Sequence, residues 1–117
     1  MIIGTGIDII EISRIEKAIK KWGDGFLNHV FCDEEIEYAR QNKFPMQHFA
    51  ARFAAKEAVF KAIGDDPNIN WKDIKILNDK HGRPTVIYNN KKFKNKIVIS
   101  LSHSKKYAVA NAIITTE

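Results

Sequence analysis

The sequence predicts an α+β domain, with helices packed on one face of an antiparallel sheet, and three observations carry that reading. After a short leading strand, apolar residues recur at helical spacing as far as Ile63. From Gly64 onward the spacing changes to period two, in short runs divided by turn residues. No repeat, low-complexity tract or linker interrupts the 117 residues, so 1–117 reads as one domain. A chain of this size buries roughly two thirds of its unfolded surface. That supplies one core and little material for a deep cleft, so a sizeable ligand would need a site shared between subunits.

Residues 2–9 are rich in Ile with Gly4 and Gly6 interleaved, which predicts a short buried strand, slim enough for close backbone approach and ending at Asp8. Ser13 followed by Glu16 is a capping-box pattern. Ile15, Ala18, Ile19 and Trp22 then recur at helical spacing, so a helix is expected over Arg14 to Trp22, with Arg14, Lys17 and Lys21 on its outward side. A second helix starts near Asp33, where Asp33, Glu34 and Glu35 favour a helix N-terminus and Tyr38 and Ala39 continue the pattern.

The third helix, Met46 to Ile63 with Gly64 as its stop, sets Phe49, Phe53, Phe60 and Ile63 along one stripe. Ala51, Ala55, Ala58 and Ala62 line the opposite side. A helix apolar nearly all round is a buried one, yet this helix carries Arg52, Lys56, Glu57 and Lys61, and buried charges need partners. Glu57 and Lys61 are either an i,i+4 pair or part of a ligand site.

Strands follow at Asp73 to Asn78, Pro84 to Tyr88, Lys96 to Ser102 and Tyr107 to Thr115, a meander of hairpins turning at 81–84, 89–92 and 104–106. Alternation puts Ile97, Ile99, Leu101 and His103 on one side of their strand and Val98, Ser100 and Ser102 on the other.

Formal net charge is +5, unevenly placed: 8 basic and 9 acidic residues over 1–60, 11 and 5 over 61–117. The excess points to an anionic partner. No apolar run approaches the roughly 18 residues of a membrane span, and the N-terminus lacks a signal-peptide pattern, so no membrane association and a cytoplasmic location are expected. Cys32 is the only cysteine and is expected to be a buried free thiol.

Asp8 and Glu57 would form a two-carboxylate cation site if the fold brings them together. Mg²⁺ suits such a site, because it takes one or two protein carboxylates and completes its shell with waters and substrate phosphate oxygens. Lys61, Arg52 and Lys56 would add positive charge for a phosphate.

The stretches GTGIDIIEISRIEK (4–17), FAARFAAKEAVFKAIG (49–64), HGRP (81–84) and SLSHSKKYAVANAII (100–114) resemble, in the same order, those of the holo-acyl-carrier-protein synthases, the small phosphopantetheinyl transferases. The resemblance implies that family's fold and Mg²⁺-dependent transfer of 4′-phosphopantetheine from coenzyme A to a serine of apo-acyl carrier protein. The products would be holo-carrier protein, in support of fatty acid biosynthesis, and adenosine 3′,5′-bisphosphate. It implies Asp8 and Glu57 as metal ligands and Lys61 as the lysine that neutralises the pyrophosphate and stabilises charge as the phosphoanhydride bond breaks. Arg52 and Lys56 fall in the same coenzyme-binding motif, together with Gly64. Gly82, Arg83 and Pro84 match a turn beside the nucleotide, and Ser102, His103 and Ser104 a segment meeting the adenosine and its 3′-phosphate. Arg14 falls at the family's basic position, and with Lys17 and Lys21 it would face an acidic carrier protein. The family's short members look like homotrimers with coenzyme A between subunits, which implies active sites at subunit interfaces.

Two departures stand out. Cys32 replaces a frequent threonine or serine, which leaves open whether Glu35 orients a water as general base, a metal-bound water serves, or Glu35 is only a helix-start carboxylate. After Gly64, where relatives often carry a Gly-Thr-Gly turn, stands Asp65-Asp66-Pro67-Asn68, to which no cofactor contacts are assigned. Other classes fare worse. Adjacent Ser102 and His103 point to opposite faces and cannot act as nucleophile and base. A nucleic-acid-binding role for Lys91, Lys92, Lys94 and Lys96 competes with solvating a hairpin tip and blunting a sheet edge, the reading adopted here. Asp8, Glu57 and Lys61 argue against a catalytically idle binder of carrier protein.

Overall fold

The computed structural model describes residues 1–64 and 66–116. Strand β1 (Ile2–Glu11) leads into four helices, α1 (Ile12–Trp22), α2 (Asp24–Val30), α3 (Asp33–Arg40) and α4 (Pro45–Ile63). A 3₁₀ turn at Trp71–Asp73 then opens β2 (Ile74–Asn78), β3 (Pro84–Tyr88), β4 (Lys96–His103) and β5 (Tyr107–Thr115). The α+β architecture is as expected. The strands form two antiparallel sheets, β1-β5-β4 and β2-β3, because β3 and β4 lie side by side without sharing a ladder.

Helix α4 packs across the inner face of the larger sheet, and its buried alanines, Ala51, Ala54, Ala55, Ala58 and Ala62, explain how closely it does so. Gly4, Gly6, Asp8 and Ile10 occupy the inner face of β1, opposite Ile114, Ala112, Ala110 and Ala108 of β5. A Cβ on Gly4 would overlap the Ala62 carbonyl oxygen, and one on Gly6 would overlap that of Ala58 and stand 2.8 Å from Ala62 N. This seam of small residues brings the helix backbone onto the strand. Gly64, at φ 93°, ends α4 by donating its N–H to Phe60 O at 3.0 Å.

Further details also depart from the sequence reading. β1 continues past Asp8 to Glu11, which pairs with Tyr107 while Ile12 N–H donates to Lys106 O, so Ser13 falls inside α1 and does not cap it. The long-range ladder outcompetes the local capping pattern. β1 is also buried on one face only, with Ile7 and Ile9 each 65 % exposed on the other. α2 was not anticipated. Of the two readings of Glu57 and Lys61, the i,i+4 ion pair is not the one formed, because Lys61 turns to β1. Asp65 lies outside the described residues; Asp66 accepts from Asn68 N–H through Oδ1 at 2.9 Å.

Candidate active site

Asp8, the last inner-face polar residue of β1, and Glu57, in the second half of α4, line one open pocket of about 400 Å³ with Arg14, Ile15, Phe26 and Phe53. The glycine seam makes this possible, since Asp8 follows Gly6 by one full pleat and Glu57 adjoins Ala58. Lys61 Nζ donates to Asp8 Oδ1 at 3.1 Å and to the Ile7 carbonyl at 3.0 Å. Burial and then the nearby Asp8 charge push the Glu57 carboxyl above its ordinary value, against an opposing pull from Lys61. Carboxylate oxygens are hard donors of the kind Mg²⁺ takes, so Asp8 and Glu57 could hold a divalent cation at this pocket, and such a cation would offset the part of the Glu57 shift that comes from Asp8. Gly64 ends the helix three residues beyond Lys61.

Lys56 and Glu35 lie elsewhere. Both side chains are fully buried and paired at 2.8 Å. Lys56 Nζ also donates to Val30 O at 2.7 Å and Trp71 O at 3.1 Å, while Glu35 accepts from Cys32 N–H and Ile76 N–H, each at 2.8 Å. Lys56 thus has three partners for its three protons, and Glu35 is withheld from solvent. Of the alternatives for Glu35, the helix-start carboxylate is the one built: it closes the first turn of α3 and ties that helix to β2 and α4. Glu35→Gln should leave the Lys56 ammonium buried without its counter-charge, at a cost of roughly 3–5 kcal/mol. Urea unfolding of the variant checks this, and a midpoint equal to that of the parent would contradict it. Beside the pair, burial pushes the Cys32 thiol up to about 11, so it is a buried, unreactive group.

Arg52 is 4 % exposed. Its guanidinium lies over the Tyr38 ring at 4.4 Å and donates to Asn78 Oδ1 at 3.0 Å. The Nε of Arg52 has no partner among the described residues. His103, at the exposed end of β4, meets the ring of His48 at 5.7 Å, and His48 meets Tyr38 at 5.4 Å. Gln47 reaches Ser104 O at 3.5 Å. Sequence reasoning missed His48; its only signal was the place one helical turn before Arg52.

Ser102 faces the outer side of the sheet, in register with Val109, whereas His103 and Asp8 face the inner side. Gly82, at φ 81°, belongs to a turn organised by Asp79, whose Oδ1 accepts from His81 N–H and Arg83 N–H at 2.8 and 2.9 Å. That turn delivers Arg83 and Pro84 to a separate cleft of about 840 Å³ between β3 and β4. The carboxylate pocket and this cleft share no lining residue. Arg14, Lys17 and Lys21 are exposed on α1, with Arg14 at the rim of the carboxylate pocket.

Oxygen donors for a hard cation, a lysine beside them, and further cationic and histidine-bearing segments make up the equipment of a phosphoryl-transfer enzyme. The chain belongs to the 4′-phosphopantetheinyl transferase superfamily, whose model matches residues 4–112. Holo-[acyl-carrier-protein] synthases of Thermodesulfovibrio yellowstonii and Protochlamydia amoebophila are 45% and 47% identical over 115 and 119 residues. Those alignments cover 98% and 97% of this chain, and 100% and 98% of the relatives. Among solved structures, the Bacillus anthracis holo-(acyl-carrier-protein) synthase in complex with CoA (3′,5′-ADP) superposes with a TM-score of 0.87 at 36% identity, covering 100% of this chain and 99% of that one. The Helicobacter pylori enzyme in complex with coenzyme A gives 0.85 at 30% identity, with coverage of 95% and 99%.

Proposed function

We propose that this chain transfers the 4′-phosphopantetheine group of coenzyme A to a serine of apo-acyl carrier protein, with Mg²⁺, and releases adenosine 3′,5′-bisphosphate. One observation carries the reading at the level of residues: Asp8 and Lys61, 53 positions apart in sequence, are hydrogen-bonded at a pocket that Glu57 also lines. Asp8 and Glu57 are the residues that would hold the cation, which when bound would neutralise the pyrophosphate. Lys61, anchored by the Ile7 carbonyl, places a fixed positive charge where the leaving phosphate gathers electron density. The serine oxygen attacks the phosphorus bearing pantetheine, the phosphoanhydride bond breaks, and the bridging oxygen leaves with the adenosine bisphosphate. Buried Glu35 takes no part in removing the serine proton, which passes to water in the open pocket. Lys56 serves the coenzyme site indirectly, by fixing α4, while Arg52, Gly64, Gly82, Arg83, Pro84, Ser102 and His103 are proposed to line the coenzyme.

Arg14, Lys17 and Lys21 form an exposed basic face on α1 beside the pocket, suited to an acidic carrier-protein helix. The outer face of the larger sheet exposes Ile7, Ile9, Val98 and Tyr107, apolar side chains of the kind found at protein–protein contacts. Together with the separation of the carboxylate pocket from the Arg83 cleft, this supports a homotrimer in which coenzyme A bridges neighbouring subunits. No helix among the described residues is long and apolar enough to cross a membrane, and a cytoplasmic site of action is proposed.

The deciding experiment incubates purified protein with coenzyme A, Mg²⁺ and apo-carrier protein. A Mg²⁺-dependent mass increase of about 340 Da on the carrier is expected for this transfer. No increase with any carrier tested would sink the assignment. In the same assay, added salt should raise KM for the carrier protein by screening the α1 face, and light scattering should return three times the chain mass.

A further inference from the structure

The reading of His103 as a contact for the coenzyme's 3′-phosphate leaves a physical difficulty. The residue is exposed, it is the last of β4, and its ring makes no hydrogen bond among the described residues. An unheld imidazole must be ordered when the phosphate arrives, at a cost in affinity. Resting on that reading, we propose that His48 is a positioning residue for the site: its ring buttresses the His103 imidazole, so that the coenzyme meets it already oriented.

The geometry forms a chain of planar groups running from the interior to the surface. Arg52 is fixed at its buried end by Asn78 of β2 and lies face-on to Tyr38 of α3 at 4.4 Å. The Tyr38 and His48 rings cross at 87° with centroids 5.4 Å apart. The His48 and His103 rings cross at 69° and 5.7 Å. Both crossings are edge-to-face contacts of the favoured kind. Next to His48 on α4, Gln47 donates to Ser104 O at 3.5 Å, so the start of α4 meets the end of β4 through backbone as well as ring.

Charge works in the same direction. Burial, then the Arg52 cation, then His103 hold the His48 imidazole below its ordinary value of 6.5. The titratable or cationic groups facing His48 are Tyr38 from α3, Arg52 from α4 itself and His103 from β4. His48 is therefore held toward its neutral form and faces His103 as an uncharged ring. A neutral aromatic buttress needs its ring and not its nitrogens, which separates this role from direct phosphate binding.

The test compares coenzyme A with 3′-dephospho-coenzyme A as donors for the parent protein and for His48→Ala, His48→Phe and His103→Ala. His48→Ala should raise KM for coenzyme A roughly 2- to 10-fold, the worth of one edge-to-face contact. Its kcat, and its KM for the dephosphorylated donor, should not change. His48→Phe should stay close to the parent. In the free proteins, the ring-proton NMR shifts of His103 should move in His48→Ala and stay near their parental values in His48→Phe, a readout independent of activity. If His48→Phe is as impaired as His48→Ala, or if His48→Ala leaves the ratio of the two donors' KM values unchanged while His103→Ala alters it, the buttress is refuted and the coenzyme reading stands. If His103→Ala leaves that ratio unchanged, the assignment of His103 to the 3′-phosphate fails, and the role of His48 falls with it.

Discussion

Glu57→Gln is expected to cut transfer activity by on the order of 10²- to 10³-fold, the scale of removing one charge-stabilising group from an active site, while leaving the protein more stable at neutral pH. The two effects have one cause. Burial and the Asp8 charge raise the Glu57 carboxyl above its ordinary 4.5. A carboxyl held higher in the folded than in the unfolded state adds stability that is fully present below the unfolded value and is lost as pH rises through the folded one. At neutral pH ionised Glu57 is therefore a burden on the fold, and glutamine removes it; at pH 4 the advantage should vanish. Added Mg²⁺ separates this account from simple loss of a side chain. A cation bound to the folded state raises the melting temperature by mass action, so Mg²⁺ should stabilise the parent and not Glu57→Gln. Equal shifts in the two proteins would remove Glu57 from the cation site.

Gly6→Ala is expected to have the largest effect on the fold. The new methyl would overlap the Ala58 carbonyl oxygen and stand 2.8 Å from Ala62 N, and both neighbours are helix backbone with no flexible end to swing aside. α4 must lift off β1, an overpacking cost of about 3 kcal/mol at the upper end of the usual range, or roughly 10 °C or more in Tm for a domain of this size. Lys61 would also be drawn away from Ile7 and Asp8. Gly25→Ala is the control, because it lies in α2 with nothing within 4 Å of the added Cβ. There the helix gains propensity, so Tm should hold or rise. Thermal unfolding of both variants decides the matter, and a Gly6→Ala protein melting within a degree of the parent would show that the seam is looser than described.

The division between legible and illegible features follows from what each depends on. The leading strand, the long buried helix and the period-two strands are written in local spacing; the helix and the later strands formed near their expected bounds, while the leading strand ran on from Asp8 to Glu11. Glu57 and Asp8 were readable as a pair because carboxylates on apolar elements demand an explanation. The seven residues of α2 are too few to display a helical period, and Ser13 carried a genuine capping pattern that pairing of Glu11 with Tyr107 overrode. Lys56 shows the deeper limit. It precedes Glu57 in the chain, but successive helical residues point about 100° apart, so one enters the open pocket and the other a closed ion pair with Glu35. Only the assembled helix reveals which of two neighbouring charges is offered to a ligand. His48 was hidden for the same reason, since its partners Tyr38 and His103 come from other elements.

Strand β1 has two faces with one spelling between them. Its even positions supply the glycines that seat α4 and the carboxylate Asp8; its odd positions supply Ile7 and Ile9, the bare surface on which copies of the chain are proposed to meet. A slip of one residue against β5 would exchange them, presenting the carboxylate to a neighbouring subunit and isoleucines to the helix. Catalytic competence and the proposed self-recognition would thus be set by a single act of pairing, so that a chain mispairing β1 would lose the face proposed for assembly by the same error that disarms it.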